Sequence, residues 1–411
     1  MRIIVHSDIN HCYAQIEEML HPELRNVPMA VGGHEEMRHG IILAKNDMAK
    51  KYGISTAYTI REALKKCPEL LVIPPHYDDY IYYTTKIKDI YREYTDQVES
   101  FGLDEAWIDL TNSTSLYGDG IALAKHIQDR VHDEIGINVS MGVSFNKIFA
   151  KMGSDLHKHR GFDVITEENY KEKMWPLPIE DLFYVGRRTA PKLRARGIGT
   201  IGDLATCRKA YIKSFLGKFG EYLWYFANGN DISGVNPLYD TIKSVGNGIT
   251  TCKDMKTRED VVLVYTILCE SIATRLKEQG LKGDVIKISL RDTDLRYFSR
   301  QHKIERATNV SREILKEVMH LVDTSFDYSH SLRSINACVA GLKEDHGFEQ
   351  LSLFDDLHEH DVNKKIDETI DAIREKYGMN SVCRLNTLYD QELADFDPYS
   401  ENIIHPVGYF R

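Results

Sequence analysis

The feature that most constrains the fold is a regular series of strand and helix patterns in the second half of the chain. The series runs strand, helix, strand, strand, helix, strand, over residues 244–251, 259–279, 284–291, 295–304, 310–322 and 332–342. This β-α-β-β-α-β order predicts a compact unit with two helices on one face of a four-stranded sheet. In the second of these strands, apolar residues at even positions alternate with Lys287, Ser289 and Arg291, so the other face of the sheet is expected to be basic.

The first part of the chain predicts a separate mixed α+β domain. Residues 2–9 and 137–144 are apolar stretches typical of strands, and apolar residues recur at helical spacing over 80–94 and 121–135. Glycine-broken short helices follow up to residue 231, and then a stretch with Gly, Pro and Asn but little periodicity reads as a linker. We therefore divide the chain into residues 1–165, 166–231, the linker 232–244, 245–345 and a tail at 346–411.

Charge is unevenly distributed among these segments. The 411-residue chain has a net charge of −10, and residues 1–165 and 346–411 carry six and eight more acids than bases. Residues 166–241 and 242–345 each carry two more bases than acids. The middle of the chain is therefore the part that could face a polyanion, while the first part concentrates acids and the tail is acidic.

Cysteine usage and hydropathy point to a cytoplasmic protein. The seven cysteines include no CxxC pair, so the pattern favours reduced thiols over a disulfide framework or a zinc ribbon. No apolar run reaches the roughly 18 residues that a membrane helix needs. The N-terminal RIIVHSD is too short and too soon acidic for a secretory signal. We expect a protein without a membrane segment, acting as a monomer.

Three carboxylates stand at the ends of predicted strands. Asp8 ends the first strand, and the adjacent Asp104 and Glu105 lie where the apolar strand of ESFGLDEAWIDLT begins. If the two strands are neighbours, this much negative charge needs divalent cations, and oxygen ligands without nearby histidine or thiolate favour Mg²⁺ or Mn²⁺ over zinc. The alternative is that Asp8 caps the helix starting near His11 and that the acidic pair is a solvated turn.

Three motifs together carry a family resemblance. HSDINHCYAQIEE, GLDEAWIDL and VSMGVSFNKIFAKMGSDLHKHRGF resemble the palm motifs of the Y-family translesion DNA polymerases, the DinB and UmuC group. Their order and spacing match over roughly residues 1–345. The resemblance implies an α+β right-hand polymerase: a ferredoxin-like palm with small fingers at about 12–75, a helix-hairpin-helix thumb and a β-α-β-β-α-β little finger. It also implies primer extension on a template, with low-fidelity lesion bypass in DNA repair.

The resemblance assigns roles to residues in the first part of the chain. Asp8, Asp104, Glu105 and the Ile9 carbonyl match the ligands of two catalytic metal ions, which activate the primer 3′-hydroxyl and stabilise the charge at the α-phosphate. Tyr13 falls at the steric-gate position that excludes a 2′-hydroxyl; its alternative is an aromatic of the core. The neighbouring nucleotide-binding positions are held by Cys12, Lys50 and Lys158.

The fingers depart from the family pattern. Where relatives usually carry a tyrosine and, three residues on, an arginine that grip the triphosphate, this chain has Asp47 and Lys50. Lysine keeps the positive charge of arginine but lacks the guanidinium that can donate two parallel hydrogen bonds to a phosphate. Asp47 would repel a triphosphate unless its side chain turns away or shares a cation. Gly102 stands where serine is common, and Asn10 where many relatives have a third acid.

Two later segments are expected to hold DNA. YVGRRTAPKLRARGI resembles a helix-hairpin-helix whose backbone N–H groups approach a phosphate, with Tyr184 replacing the usual first glycine. The unit 245–345 resembles the little finger, which contacts phosphates without reading bases. A solvated loop or strand face is the alternative for each segment. The DNA-binding candidates are Val185, Gly186, Thr189, Lys287, Arg291, Arg296 and Arg300, the last four chosen by strand parity.

The tail contains QLSLF, which resembles the sliding-clamp-binding pentapeptide of bacterial polymerases. Gln350 would hydrogen-bond and Leu351, Leu353 and Phe354 would supply apolar contacts to a pocket on the clamp. The stretch KKIDETIDAIREKYG after the motif predicts a helix. Two rival functions stay open: a palm-type nucleotidyl cyclase, and a catalytically weak DNA or clamp adaptor.

Overall fold

The computed structural model describes residues 2–33, 40–237, 242–346, 357–378 and 381–398. Within these ranges the chain forms two compact units, which meet in sequence near residue 240. In the part of the chain that is described, no helix is long and apolar enough to cross a bilayer.

The first unit contains eight strands and eleven helices among its described residues. The strands are β1 (Ile4–Ile9), β2 (Met29–Gly32), β3 (Ile42–Lys45), β4 (Leu71–Ile73), β5 (Val98–Phe101), β6 (Glu105–Asp109), β7 (Val139–Ser144) and β8 (Phe162–Ile165). The helices are α1 (Cys12–Leu20), α2 (Asp47–Lys51), α3 (Ile60–Lys66), α4 (Tyr77–Arg92), α5 (Thr114–Tyr117), α6 (Gly120–Ile135), α7 (Lys147–Leu156), α8 (Tyr170–Met174), α9 (Ala190–Arg194), α10 (Ile201–Thr206) and α11 (Lys209–Ala227).

The palm is a five-stranded sheet in the order β5-β6-β1-β7-β8. Strand β1 is central and antiparallel to both β6 and β7. Because successive side chains of a strand point to opposite faces, Val5 and Ile9 join the core formed with α4 and α6, whereas Ile4 packs with Trp107 and Ala150 on the α7 side. The sheet is thus covered on both faces, and β1 ends rigidly at Asp8 and Ile9.

The fingers are a small sheet in the order β3-β2-β4, with their own core. Helix α2 begins at an Asn46 cap, whose side chain accepts a hydrogen bond from the Ala49 N–H. The thumb is the helical segment from α8 to α11, whose apolar residues share a core with α7. Helix α11 is interrupted at Gly217, which has a φ of +65°.

The second unit confirms the β-α-β-β-α-β order. Its sheet is antiparallel throughout, in the order β11-β10-β12-β9. The side chains of Ile286, Ile288 and Leu290 are buried under the helices, and Lys287 and Arg291 lie on the opposite face. The elements are β9 (Ser244–Met255), α12 (Arg258–Glu278), β10 (Leu281–Asp292), β11 (Tyr297–Thr308), α13 (Ser311–Ser325), β12 (Leu332–Glu344), α14 (Leu357–Tyr377) and α15 (Gln391–Ala394).

The register of the β10–β11 hairpin corrects the parity assigned to two basic residues. Arg300 pairs with Ile288, and directly paired residues share a face, so Arg300 lies on the helix face and not beside Lys287. Arg296 lies in the turn before β11, where its N–H donates to Asp292 Oδ1 at 2.9 Å. Parity counted along the sequence was wrong here because the turn resets the alternation.

The segment after residue 357 packs on the second unit through polar contacts. Glu270 of α12 is buried and accepts hydrogen bonds from Arg374 and Arg384 at 2.8 and 2.6 Å. Asp367 accepts hydrogen bonds from the N–H and the hydroxyl of Ser311, both at 2.7 Å, at the start of α13. The predicted tail helix therefore forms as α14 and belongs to this unit. The QLSLF segment, residues 350–354, lies outside the described residues.

Candidate active site

The three predicted carboxylates meet at one end of the palm sheet. Asp8 and Glu105 are direct partners in the β1–β6 register, and Asp104 precedes β6 in the turn that follows β5. The Ile9 N–H donates to the Asp104 carbonyl at 3.0 Å, which ties the turn to the end of β1. Adjacent antiparallel strands thus bring together acids that are almost a hundred residues apart in sequence.

Both alternatives for these acids are wrong. The cap residue of α1 is His11, and no side chain caps that helix. Asp8 instead lies 3.1 Å from Lys158 Nζ. Burial, not a solvated turn, is the main influence on the pKa values of Asp8 and Asp104.

Two lysines from α7 and the loop behind it contact the carboxylates. Lys151 Nζ lies 2.9 Å from Glu105 Oε2 and 3.7 Å from Asp8 Oδ2. Asp155 joins the cluster, 3.5 Å from Lys151 and 2.7 Å from Lys158. Sequence reasoning missed Lys151 and Asp155, although positions 151, 155 and 158 follow the spacing of one helix face, a signal that could have found them.

A buried histidine lies behind Glu105. His6 Nε2 is 3.3 Å from Glu105 Oε2, and its Nδ1 is 2.8 Å from the Ser154 hydroxyl. Burial lowers the pKa of His6, against the opposing effect of Glu105. His6 was also missed, because a histidine inside an apolar strand gives no periodic signal.

The electrostatics separate the three acids. Burial, with the charges of Glu105 and Asp8, raises the pKa of Asp104 to about 6. Burial also raises the pKa of Asp8, against the opposing effect of Lys158. Burial acts upward on Glu105 as well, but the neighbouring His6 ring and the Lys151 ammonium outweigh it and bring the pKa of Glu105 to about 2. At Asp104, the lysines of the site therefore do not fully balance the negative charge of the neighbouring acids.

Lys88 and Gly102 support the turn that carries Asp104. Lys88 is buried, and its Nζ donates to the Gly102 carbonyl at 2.8 Å. Burial lowers the pKa of Lys88 to about 8, although Asp104 acts in the opposite direction. Gly102 has a φ of +81°, a conformation that glycine adopts more readily than serine.

The donor set fits a divalent cation. Within the described ranges, no group of three His, Cys, Asp or Glu side chains is arranged to hold a metal ion, and lysines contact the Asp8 and Glu105 carboxylates. Three carboxylates on adjacent strand ends nevertheless supply hard oxygen ligands, and burial together with the charges of Glu105 and Asp8 raises the pKa of Asp104. A cation there would relieve this repulsion.

A cavity of about 430 Å³ opens beside the carboxylates. It brings together the predicted nucleotide-binding residues, Cys12, Tyr13, Lys50 and Lys158, with Asp8 and Asp104. The Tyr13 ring stacks on Tyr80, with centroids 4.4 Å apart and planes at 10°. Tyr13 therefore both lines the cavity and packs against α4.

Asp47 also lines this cavity, and it is paired. Its Oδ2 lies 3.3 Å from His159 Nδ1, in the loop that carries Lys158. His11, Lys45 and His159 line the same cavity and were not singled out by the sequence.

The helix-hairpin-helix segment is built as expected around an unusual residue. Tyr184 has a φ of +75°, the left-handed conformation that glycine adopts without strain. Its ring lies 4.1 Å from that of Phe183 and is about half exposed. Val185 is buried, and the Thr189 N–H donates to the Gly186 carbonyl at 2.9 Å. Tyr184 thus adopts the left-handed backbone conformation that glycine adopts most readily.

Family profiles match both units. The impB/mucB/samB family profile matches residues 7–155, the C-terminal domain of that family matches 242–353, and its helix-hairpin-helix motif matches 167–198. A DNA polymerase IV of Acetivibrio thermocellus is 43% identical over 95% of this chain and 99% of its own length. DNA polymerase IV 1 of Bacillus subtilis is 33% identical over 95% and 94% of the two chains.

A solved structure shares the fold. A chimeric Y-family DNA polymerase superposes with a TM-score of 0.73 at 23% identity, covering 82% of this chain and 98% of its own. The chain therefore belongs to the impB/mucB/samB family, the Y-family of DNA polymerases. It is a DinB-type member, a DNA-directed DNA polymerase whose function is template-directed translesion synthesis, and its substrates are DNA and nucleotides. Divalent-metal dependence is general in this family.

Proposed function

We propose that Asp8, Asp104, Glu105 and the Ile9 carbonyl hold two Mg²⁺ ions, or Mn²⁺ in their place, for primer extension. The observation that carries the proposal is the meeting of three carboxylates at adjacent strand ends beside an open cavity. The bound ions would supply Lewis acidity at the primer hydroxyl and the α-phosphate. The strands β1 and β6 hold the acids in place, and Ile9 ties them together.

The chain's own residues would bind and orient the nucleotide. Lys50 from the fingers and Lys158 from the palm both line the cavity, and their charges suit a triphosphate. Tyr13 would lie under the sugar, its ring backed by Tyr80, so that a 2′-hydroxyl would collide with a supported aromatic. Cys12 is buried beside it and would shape the cavity wall.

The DNA would be held by the thumb and the little finger. The backbone at Val185, Gly186 and Thr189 would approach one phosphate, and Lys287 and Arg291 share the open face of the second sheet. Arg296, in the turn before β11, and the exposed Arg300, on the edge strand β11, would contact the DNA at the edge of the sheet. We assign palm and fingers to 1–165, thumb to 166–231, linker to 232–244, little finger to 245–345 and the acidic tail to 346–411.

We further propose that the QLSLF segment binds a sliding clamp, with Gln350, Leu351, Leu353 and Phe354 as contacts, and that the protein acts as a monomer in the cytoplasm. The double substitution Leu353→Ala/Phe354→Ala should weaken clamp binding and leave distributive synthesis intact. Unchanged affinity for a purified clamp would contradict this part of the proposal. Light scattering of the free protein would test the monomer.

Labelled nucleotides test the reaction itself. With Mg²⁺ and primed template, we expect elongated primer that depends on the template. A cyclic product formed without template would instead support a nucleotidyl cyclase and overturn the proposed chemistry.

A further inference from the structure

A contact between Asp47 and His159 joins the fingers to the palm across the nucleotide cavity. The tyrosine and arginine that the family usually carries at positions 47 and 50 would not form this contact. Asp47 is the first residue of α2, and His159 follows Lys158 in the loop after α7. The Asp47 carboxylate lies 3.3 Å from His159 Nδ1, and both residues line the cavity. Asp47 thus faces a histidine beside the triphosphate-binding lysine.

The loop that carries His159 is held in an uncommon conformation. His159 and Arg160 have left-handed φ values of 59° and 67°, which non-glycine residues rarely adopt. The Arg160 N–H donates to Asn10 Oδ1 at 2.9 Å, and Asn10 Nδ2 donates to the Ser140 hydroxyl at 2.9 Å. Asn10, where many relatives have an acid, therefore anchors this loop to the palm. Strain of this kind persists where surrounding contacts determine it, and it clusters at functional sites.

The surrounding charge suits a phosphate ligand. Lys45, Lys50 and Lys158 line the same cavity as His159, so three basic residues contribute to its wall. The His159 side chain is 57% exposed, and Asp47 approaches its Nδ1 side, which leaves Nε2 as the second nitrogen for a ligand. An imidazole bound on one nitrogen by a carboxylate has a defined orientation for its other nitrogen.

We propose that His159 contacts the phosphates of the incoming nucleotide and that Asp47 is a positioning residue that orients its ring. The inference rests on the proposed nucleotide site. It also explains how an acid can be tolerated where relatives have a tyrosine: its charge is directed at His159 and not at the triphosphate.

The sign of one kinetic change separates this role from simple repulsion. If Asp47 only repels the triphosphate, Asp47→Ala should lower the KM for the nucleotide. If Asp47 orients His159, the same substitution should raise KM by about threefold. His159→Gln should raise KM by about tenfold with kcat nearly unchanged, and Asp47→Ala should add nothing in the His159→Gln background.

A matched control lies in the same loop. His157 is paired with Asp163 at 2.8 Å and is 74% exposed, but it does not line the cavity. His157→Gln should leave KM and kcat unchanged. A second readout uses inorganic tripolyphosphate as a competitive inhibitor, whose inhibition constant should rise in His159→Gln and Asp47→Ala and not in the control.

Three results would overturn this inference, and a fourth would contradict the proposed function instead. A lower KM in Asp47→Ala, or effects of Asp47→Ala and His159→Gln that multiply, would overturn the inference. So would an unchanged inhibition constant for tripolyphosphate. Failure of the wild-type protein to extend a primer at all would instead contradict the proposed function, so the two failures are distinguishable.

Discussion

Asp8 and Glu105 lie opposite each other across strands β1 and β6, and a single ammonium approaches both carboxylates. That ammonium belongs to Lys151, which is buried on α7. The positive charge of Lys151 therefore acts on two of the carboxylates that would bind a divalent cation during catalysis. The relationship predicts that stability and cation binding are linked at this end of the sheet.

Lys151→Met should destabilise the protein in EDTA by about 3 kcal/mol, because it removes the ammonium that lies 2.9 Å from the largely buried Glu105 carboxylate. Mg²⁺ should restore part of this loss, measured as the free energy of unfolding in urea with EDTA and with MgCl₂. The control is Lys147→Met at the other end of α7, which breaks the 2.6 Å pair with Glu99. Its loss should not depend on Mg²⁺. Equal stabilisation of wild type and Lys151→Met by Mg²⁺ would contradict the linkage.

Asp104→Asn should stabilise the metal-free protein at pH 8. Folding raises the pKa of Asp104 to about 6 from an unfolded value of about 4. The protonated carboxyl is therefore favoured in the folded state. The stability that this preference contributes is fully present below about pH 4 and is lost as the pH rises through 6. The neutral amide avoids this loss, and we expect a gain of about 2 kcal/mol at pH 8 that vanishes near pH 4.

Urea unfolding in EDTA across this pH range measures the effect. Asp89→Asn, on the exposed face of α4, serves as the control and should show no such pH dependence. A variant less stable than wild type at pH 8 would refute the prediction. Mg²⁺ should stabilise the wild type more than the variant, since the amide is a poorer ligand.

Gly102→Ser should lower both stability and activity. A φ of +81° costs a serine about 1 kcal/mol or more, and relaxing it would move the carbonyl that Lys88 holds and the turn that carries Asp104. We expect kcat to fall about tenfold. Gly118→Ser is the control, because Gly118 has a φ of +84° in open space away from the site. It should lose stability and keep its activity; full activity in Gly102→Ser would show that the turn tolerates serine.

Tyr13→Ala should admit ribonucleotides. Removal of the ring that is stacked on Tyr80 opens the cavity where the sugar would lie, and we expect ribonucleotide incorporation relative to deoxynucleotide to rise by about a hundredfold. Competing incorporation of the two nucleotides on one template measures the ratio. Tyr77→Leu removes an edge contact to Tyr13 without lining the cavity, and it should leave discrimination largely intact. Unchanged sugar selection in Tyr13→Ala would remove this residue as the gate.

The fold could be predicted where periodicity is strong. Alternation along β10 correctly placed Ile286 and Ile288 in the core, and the apolar strands β1 and β6 correctly placed Asp8 and Glu105 at strand ends. Parity failed at Arg300 because side-chain alternation does not continue through a turn.

The sequence pattern did not predict the polar contacts between distant segments. Lys151 joins the site from a helix face, and Asp367 docks α14 by capping α13 from a distant segment, so neither produces an apolar pattern. Tyr184 adopts the left-handed backbone conformation typical of glycine, which a tyrosine in the sequence does not predict. Such features depend on tertiary partners, which a local pattern does not contain.

The most direct test of the central claim is primer extension with Mg²⁺ by wild type and by the Asp104→Ala/Glu105→Ala variant. Asp109→Asn, at the other end of β6, is the control. We expect template-dependent extension by the wild type and the control, and a rate at least about a thousandfold lower in the double variant, because the ligands of the catalytic cations are gone. Equal extension by wild type and double variant would contradict the assignment of these carboxylates and support an adaptor without its own catalysis.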